Sequence, residues 1–109
     1  MLQFLYMSLV TILKTNIFEK WFNKLKDHHA KSIILIHIGR MTDNNFGVTR
    51  SVGSGVFEKK IYYGPGYRLY YCCQEQVYVL LLCGGDKSTQ KTDIKEAKQI
   101  KENILCLKK

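Results

Sequence analysis

Residues 77–83 (VYVLLLC) are apolar without a break, and Gly84-Gly85-Asp86 stops them. A short apolar run between turn signals reads as a β-strand. One with no polar alternation reads as a central strand buried on both faces. The chain has 109 residues, enough for one core and little spare stability. Hydrophobic residues make up 46% and charged residues 24%, the ordinary globular balance, which argues against disorder. One Pro and eight Gly exclude collagen-like and linker-like chains. Residues 1–7 are left as an unassigned extension, and residues 8–109 are read as a single domain.

The other elements follow from hydrophobic period. Residues 8–13 (SLVTIL) read as a strand, and Thr15-Asn16 can cap a helix. Ile17, Phe18, Trp21, Phe22 and Leu25 recur at helical spacing, as do Ala30, Ile33, Ile34, Ile38 and Met41. The short polar turn between the two sets, Asp27-His28-His29, predicts an αα-hairpin. Residues 48–53 (VTRSVG) form a short strand. In 56–63 (VFEKKIYY), Phe57 and Ile61 fall on one side, with Glu58, Lys60 and Tyr62 on the other. Gly64-Pro65-Gly66 turns the chain into 67–73 (YRLYYCC), because Pro presets φ and Gly supplies φ > 0. Beyond the buried run, Ser88 or Thr89 caps a last helix with Ile94, Ala97, Ile100, Ile104 and Leu107 on one face. The expected class is α+β, in the order β-α-α-β-β-β-β-α.

Several chemistries are disfavoured. Cysteines 72, 73, 83 and 106 show no zinc spacing. They read as reduced thiols acting as small hydrophobes, which points to a reducing cytoplasm. Adjacent Cys72 and Cys73 point to opposite faces of a strand. No metal and no small-molecule cofactor is expected. His28-His29 read as a surface turn, and His37 as a partly buried packing residue. Residues 1–13 are too few for a membrane span and lack signal-peptide features, so no membrane association is expected. Met7 is an alternative start. No Walker loop is present.

Charge narrows the partners. The chain carries 17 Lys+Arg against 9 Asp+Glu, a net +8, and a small domain so basic attracts polyanions. Most of the excess lies on the helices, where lysines commonly solvate a surface. The sheet's few cations, Lys59, Lys60 and Arg68, sit among Tyr62, Tyr63, Tyr67, Tyr70 and Tyr71. Cations interleaved with aromatics suit RNA, since phosphates pair with cations and bases stack on rings. Lys59, Tyr67 and Tyr70 are the expected RNA-binding side chains.

Tyr63-Gly64-Pro65-Gly66-Tyr67-Arg68-Leu69-Tyr70 and the string from Leu80 to Gln90 (LLLCGGDKSTQ) carry a resemblance. With Thr15 to Leu25 (TNIFEKWFNKL), Asn45-Phe46-Gly47 and Ser51 to Val56 (SVGSGV), they cover about residues 8–105. The chain closely resembles the RelE/ParE superfamily of toxin–antitoxin toxins, in the HigB-like addiction module killer protein branch. The resemblance implies a twisted antiparallel sheet with two helices on one face and a C-terminal helix. It implies a cognate antitoxin, often with a helix-turn-helix domain. It also implies metal-independent mRNA cleavage on the ribosome in the bacterial cytoplasm. ParE-like members share the fold and poison DNA gyrase without being enzymes, so that reading stays open, as does a catalytically decayed antitoxin-binding member.

Cleavage of this kind uses the RNA's own 2′-OH as nucleophile and needs cations around the phosphorane-like transition state. Arg68 matches a family arginine and is the candidate phosphate clamp. Lys60 stands where close relatives usually have Arg, and Tyr62 where they usually have His. A tyrosine is a poor general base at neutral pH, so Tyr62 is read as a stacking or hydrogen-bonding group. The resemblance implies that the position of Lys87 is basic and near the cleavage site. The catalytic candidates are thus Arg68, Lys60, Lys87 and Tyr62. Lys59 faces away from Lys60 in a regular strand, and a β-bulge would exchange the two. Gly84-Gly85 either admits a ligand to the backbone or turns the chain into the last helix.

Overall fold

A computed structural model describes residues 10–75 and 78–108, with side chains as far as Ile104. It contains β1 (Thr11–Lys14), α1 (Asn16–Lys24), α2 (His28–Thr42), β2 (Thr49–Gly53), β3 (Val56–Ile61), β4 (Tyr67–Gln74), β5 (Tyr78–Gly85) and α3 (Gln90–Lys108). A 3₁₀ turn, Lys87–Thr89, leads into α3. The element order is the expected one. The first strand sits later than expected: Val10 precedes it and donates its N–H to the Thr42 carbonyl at 3.0 Å. The rest of the expected 8–13 strand and the extension, residues 1–9, lie outside the described residues.

Local chemistry sets the helix starts. Thr15 Oγ1 accepts from the Phe18 N–H at 3.0 Å and donates to the Leu82 carbonyl at 2.7 Å, so the cap of α1 also ties that helix to β5. Asp27 caps α2 through the His29 and Ala30 N–H groups. The cap before α3 is Asp86, not Ser88 or Thr89. Its carboxylate accepts from the Ser88 N–H, while Thr89 answers in a capping box. Asp86 wins because the 3₁₀ turn begins one residue after it.

The five strands form one sheet in the order β1-β5-β4-β3-β2. Strands β2 to β5 pair antiparallel. The edge strand β1 instead runs parallel to β5, from Thr11 opposite Tyr78 to Lys14 opposite Leu81, so the sheet is mixed where a wholly antiparallel one was expected. Residue period predicts that a strand exists and says nothing of its direction. Here α1, α2 and the β2–β4 meander lie between β1 and β5, and this long crossover returns the chain parallel.

Helices cover both faces. Phe18, Ala30, Ile34, Ile38 and Met41 of α1 and α2 pack on Ile61, Leu69, Tyr71, Val79 and Leu81. On the other face, Ala97 and Ile100 of α3 pack on Val56, Tyr70, Cys72, Leu82 and Cys83. Leu82 and Cys83 face the same way because the β4–β5 register shifts between Tyr70 and Tyr71. The shift inserts Leu82 as a bulge. Cys72 is buried and Cys73 exposed, as their adjacency requires. Burial pushes the Cys83 thiol up to about 12, so it is inert at neutral pH.

Gly84 and Gly85 need no ligand to explain them. A Cβ on Gly84 would collide with the Trp21 indole, and one on Gly85 with the Asp93 carboxylate and Thr89. Each glycine lets one helix layer approach β5, Gly84 for α1 and Gly85 for the start of α3. Gly84→Ala should therefore overpack the Trp21 contact and cost about 1–3 kcal/mol. Combining it with Trp21→Leu should cost less than the sum of the two single changes. Urea unfolding of the four proteins measures this, and strictly additive losses would refute the contact.

Candidate functional site

Helix α3 covers only part of its face of the sheet. The uncovered part is a cleft of about 370 Å³, lined by Val48, Thr49, Arg50, Glu58, Lys60, Tyr62, Arg68 and Gln90. Its back wall is the β3–β4 pair. Strand β3 runs without a bulge, so Glu58 and Lys60 share the cleft face, and Lys60 stands directly opposite Arg68. Arg68 follows the Gly64-Pro65-Gly66 turn, whose glycines take φ of +54° and +82°. Arg68 Nη1 donates back to the Gly66 carbonyl at 2.8 Å. The turn that starts β4 thus also holds this guanidinium.

Strand β2 supplies Arg50 through an irregularity. The Ser54-Gly55 turn, with φ of +58° and +75°, sets Gly53 opposite Val56. The register then shifts between Ser51 and Gly53, which places Arg50 opposite Glu58. Plain alternation back from the turn would have sent Arg50 to the other face. The bulge at Val52 brings it to the cleft.

Glu58 lies at the bottom, 3% exposed. Its Oε1 accepts from Arg50 Nε at 2.8 Å. Its Oε2 accepts from the Tyr70 hydroxyl at 3.0 Å and from Gln90 Nε2 at 2.8 Å, and lies 3.7 Å from Arg68 Nε. Burial alone would raise the Glu58 carboxyl, but hydrogen bonds from Arg50, Gln90 and Tyr70 outweigh it and hold the group below its ordinary value. Glu58 is therefore ionised at neutral pH. Lys60 and Tyr62 stand at the rim, with Lys60 Nζ 5.0 Å from the centre of the Tyr62 ring, a cation–π distance. The Tyr62 ring is 72% exposed.

Of the residues the sequence singles out, Lys60, Tyr62 and Arg68 come together here. Lys87 does not line the cleft. It is exposed on the 3₁₀ turn beside Gly66, its Cβ 3.9 Å from where a side chain on Gly66 would begin. The three expected RNA-binding side chains are not at an open surface. Lys59 is 1% exposed on the opposite face, where Nζ donates to the Phe46 carbonyl at 2.9 Å. Burial, with Arg40 nearby, pulls its ammonium below its ordinary value. The bulge that could have exchanged it with Lys60 lies in β2 instead. Tyr67 is buried, its ring edge-on to Trp21 at 6.2 Å. Tyr70 is fully buried and spends its hydroxyl on Glu58. None of the three can take a stacking base. Arg50, Glu58 and Gln90 were missed as site residues. Glu58 was on the right face by alternation, but Arg50 depends on a bulge and Gln90 on how α3 docks.

The family described as Phage derived protein Gp49-like (DUF891) matches residues 17–104. An uncharacterized protein of Haemophilus influenzae is 46% identical over 95 residues, covering 87% of this chain and 96% of its own length. Among solved structures, the toxin–antitoxin complex RelBE2 from Mycobacterium tuberculosis matches with a TM-score of 0.59 at 18% identity, over 72% of this chain and 99% of that one. Free Escherichia coli toxin RelE, as a double arginine-to-alanine mutant, matches with a TM-score of 0.66 at 16% identity, over 84% and 98%. At these identities the two structures show a shared fold.

The Glu58 environment gives a pH test. A carboxyl whose folded pKa lies below its unfolded one contributes stability that is present above the unfolded value. That contribution is lost as pH falls through the folded value. Urea midpoints of the wild type should drop on acidification below the ordinary carboxylate range, about pH 4.3. Glu58→Gln should be less stable at neutral pH, and its deficit should shrink as pH falls through that window. A deficit independent of pH would show that Glu58 carries no linked proton.

Proposed function

The chain belongs to the phage-derived Gp49-like family, within the RelE superfamily, and from that premise we propose that it is the toxin of a type II toxin–antitoxin pair. In this reading it is a HigB-like mRNA endoribonuclease that acts on the translating ribosome in the bacterial cytoplasm. A cognate antitoxin neutralises it. The supporting observation is the cleft, where Arg50, Lys60 and Arg68 surround a space of about 370 Å³ beside an exposed tyrosine.

The chemistry these groups serve is internal transesterification. The 2′-OH of one nucleotide attacks the adjacent phosphorus, the bond to the 5′-oxygen breaks, and a 2′,3′-cyclic phosphate remains. The proton lost from the 2′-OH equals the one gained by the leaving oxygen. Charge accumulates on the phosphorane oxygens, so preorganised cations lower the barrier. Arg68 is itself only 3% exposed, so it acts from within the floor, with Nη1 on the Gly66 carbonyl and its positive charge directed at the cleft, while Lys60 approaches from the adjacent strand. Tyr62 offers a ring and a hydroxyl to the neighbouring base or ribose. Lys87 flanks the Gly66 side and is the more distant cation.

Induction in a bacterium, with mapping of mRNA 5′ ends against codon phase, tests the reading. Cuts in translated frames should appear, and the upstream products should end in 2′,3′-cyclic phosphate. In a ribosome-programmed assay EDTA titrated against excess Mg²⁺ controls should not reveal a separate metal requirement. Arg68→Ala should lower the cleavage rate about a hundred- to a thousand-fold, while the protein still folds and binds its antitoxin. Glu58 keeps Arg50, Tyr70 and Gln90 in that variant. Lys60→Ala and Lys87→Ala should lose less. Growth arrest with intact mRNA and accumulated gyrase–DNA breaks would instead assign a ParE-like gyrase inhibitor. A protein that binds antitoxin and arrests nothing would be a decayed member.

A further inference from the structure

Glu58 is the acidic residue of the cleft, and the roles assigned above to Arg68, Lys60, Tyr62 and Lys87 leave it without one. It is a nearly buried carboxylate on the floor of a cationic cleft. By Coulomb's law alone it weakens the hold on a phosphate. Burying it is costly unless it is fully paired, and groups from three different elements pair it: Arg50 from β2, Arg68 and Tyr70 from β4, Gln90 from α3. Arg50 hydrogen-bonds it through Nε at 2.8 Å, whereas Arg68 Nε lies at 3.7 Å, an ion-pair distance without a hydrogen bond. Arg50 is the more open of the two, with a side chain 59% exposed. Its terminal nitrogens make no hydrogen bond among the described residues. A guanidinium held at Nε and open at its two terminal nitrogens is prepared to bind two phosphate oxygens at once.

We propose that Glu58 is the positioning residue of the cleft and that Arg50, held by it, is a phosphate-gripping cation for single-stranded RNA. This rests on the RNA reading of the cleft and adds a residue pair to it. The β2 bulge then has a purpose, since it puts Arg50 opposite Glu58. Gln90 does too, since it fills an Oε2 site that would otherwise draw Arg50 or solvent.

The test is a titration of the purified protein with a 2′-O-methyl RNA oligonucleotide, which can bind and cannot be cut, at several salt concentrations. Arg50→Ala should bind about tenfold more weakly. Its slope of log K against log salt should be smaller by about 0.7, one phosphate contact on a single strand. Glu58→Gln removes a negative charge, so simple electrostatics expects tighter binding. Positioning expects the opposite sign, a loss similar to that of Arg50→Ala. The double variant should be no weaker than the weaker single one. Arg50→Lys, which keeps the charge at an exposed site and loses the fork, should bind as poorly as Arg50→Ala and covers the case in which Glu58→Gln does not fold. Unchanged or tighter binding by Glu58→Gln, wild-type binding by Arg50→Lys, or additive losses would overturn the proposal. So would a wild type that does not bind the oligonucleotide. Intact mRNA after induction, with oligonucleotide binding behaving as expected, would sink the cleavage reading and leave the clamp standing.

Discussion

A strand with helices on both faces must give up its side chains where the helices come closest, and β5 does so at Gly84 and Gly85. Trp21 of α1 occupies the side-chain space of the first, and Asp93 and Thr89 that of the second. Upstream, the same strand contributes Val79 and Leu81 to one core and Leu82 and Cys83 to the other. It also receives the Thr15 cap of α1 at the Leu82 carbonyl. Both helix layers are thus referenced to one strand. The place where α3 begins, and hence how much sheet it leaves open, follows from the contact at Gly85.

That open remainder is the cleft, and its walls depend on where pairing is regular and where it is not. Strand β3 is regular, so Glu58 and Lys60 face out together while Lys59 goes into the core beneath α2. Strand β2 carries a bulge, so Arg50 arrives on the same side. Strand β4 starts from a turn whose carbonyl takes up one Arg68 nitrogen. A protein with eight more basic than acidic groups places a carboxylate on the floor of a cleft lined by three cations. Two guanidiniums in one small cleft repel each other, and the anion beneath them offsets that repulsion: it hydrogen-bonds Arg50 and lies within ion-pair distance of Arg68.

Burial separates residues that the sequence made look alike. Tyr62, Tyr67 and Tyr70 all lie within nine residues of each other. Tyr62 is an exposed ring at the rim, Tyr67 is packed on Trp21, and Tyr70 is a buried hydrogen-bond donor whose hydroxyl is pushed well above its ordinary value by burial and by Glu58. Lys59 and Lys60 are adjacent and serve opposite faces. Composition sees a basic, tyrosine-rich segment. Only one tyrosine and one lysine of it reach the cleft.

Element order, the buried strand, the Gly-Pro-Gly turn and the start of the first helix at Thr15-Asn16 were determined by the sequence alone, because period and turn chemistry act over a few residues. So was the grouping of Glu58, Lys60 and Tyr62, since alternation holds wherever a strand is regular. Four things were decided only in three dimensions: the parallel pairing of β1, the bulge that delivers Arg50, the burial of Lys59, Tyr67 and Tyr70, and the reach of Gln90 to Glu58. Each depends on contacts between residues far apart in the chain. The energies that settle them come from packing and pairing across the sheet, which no local pattern records.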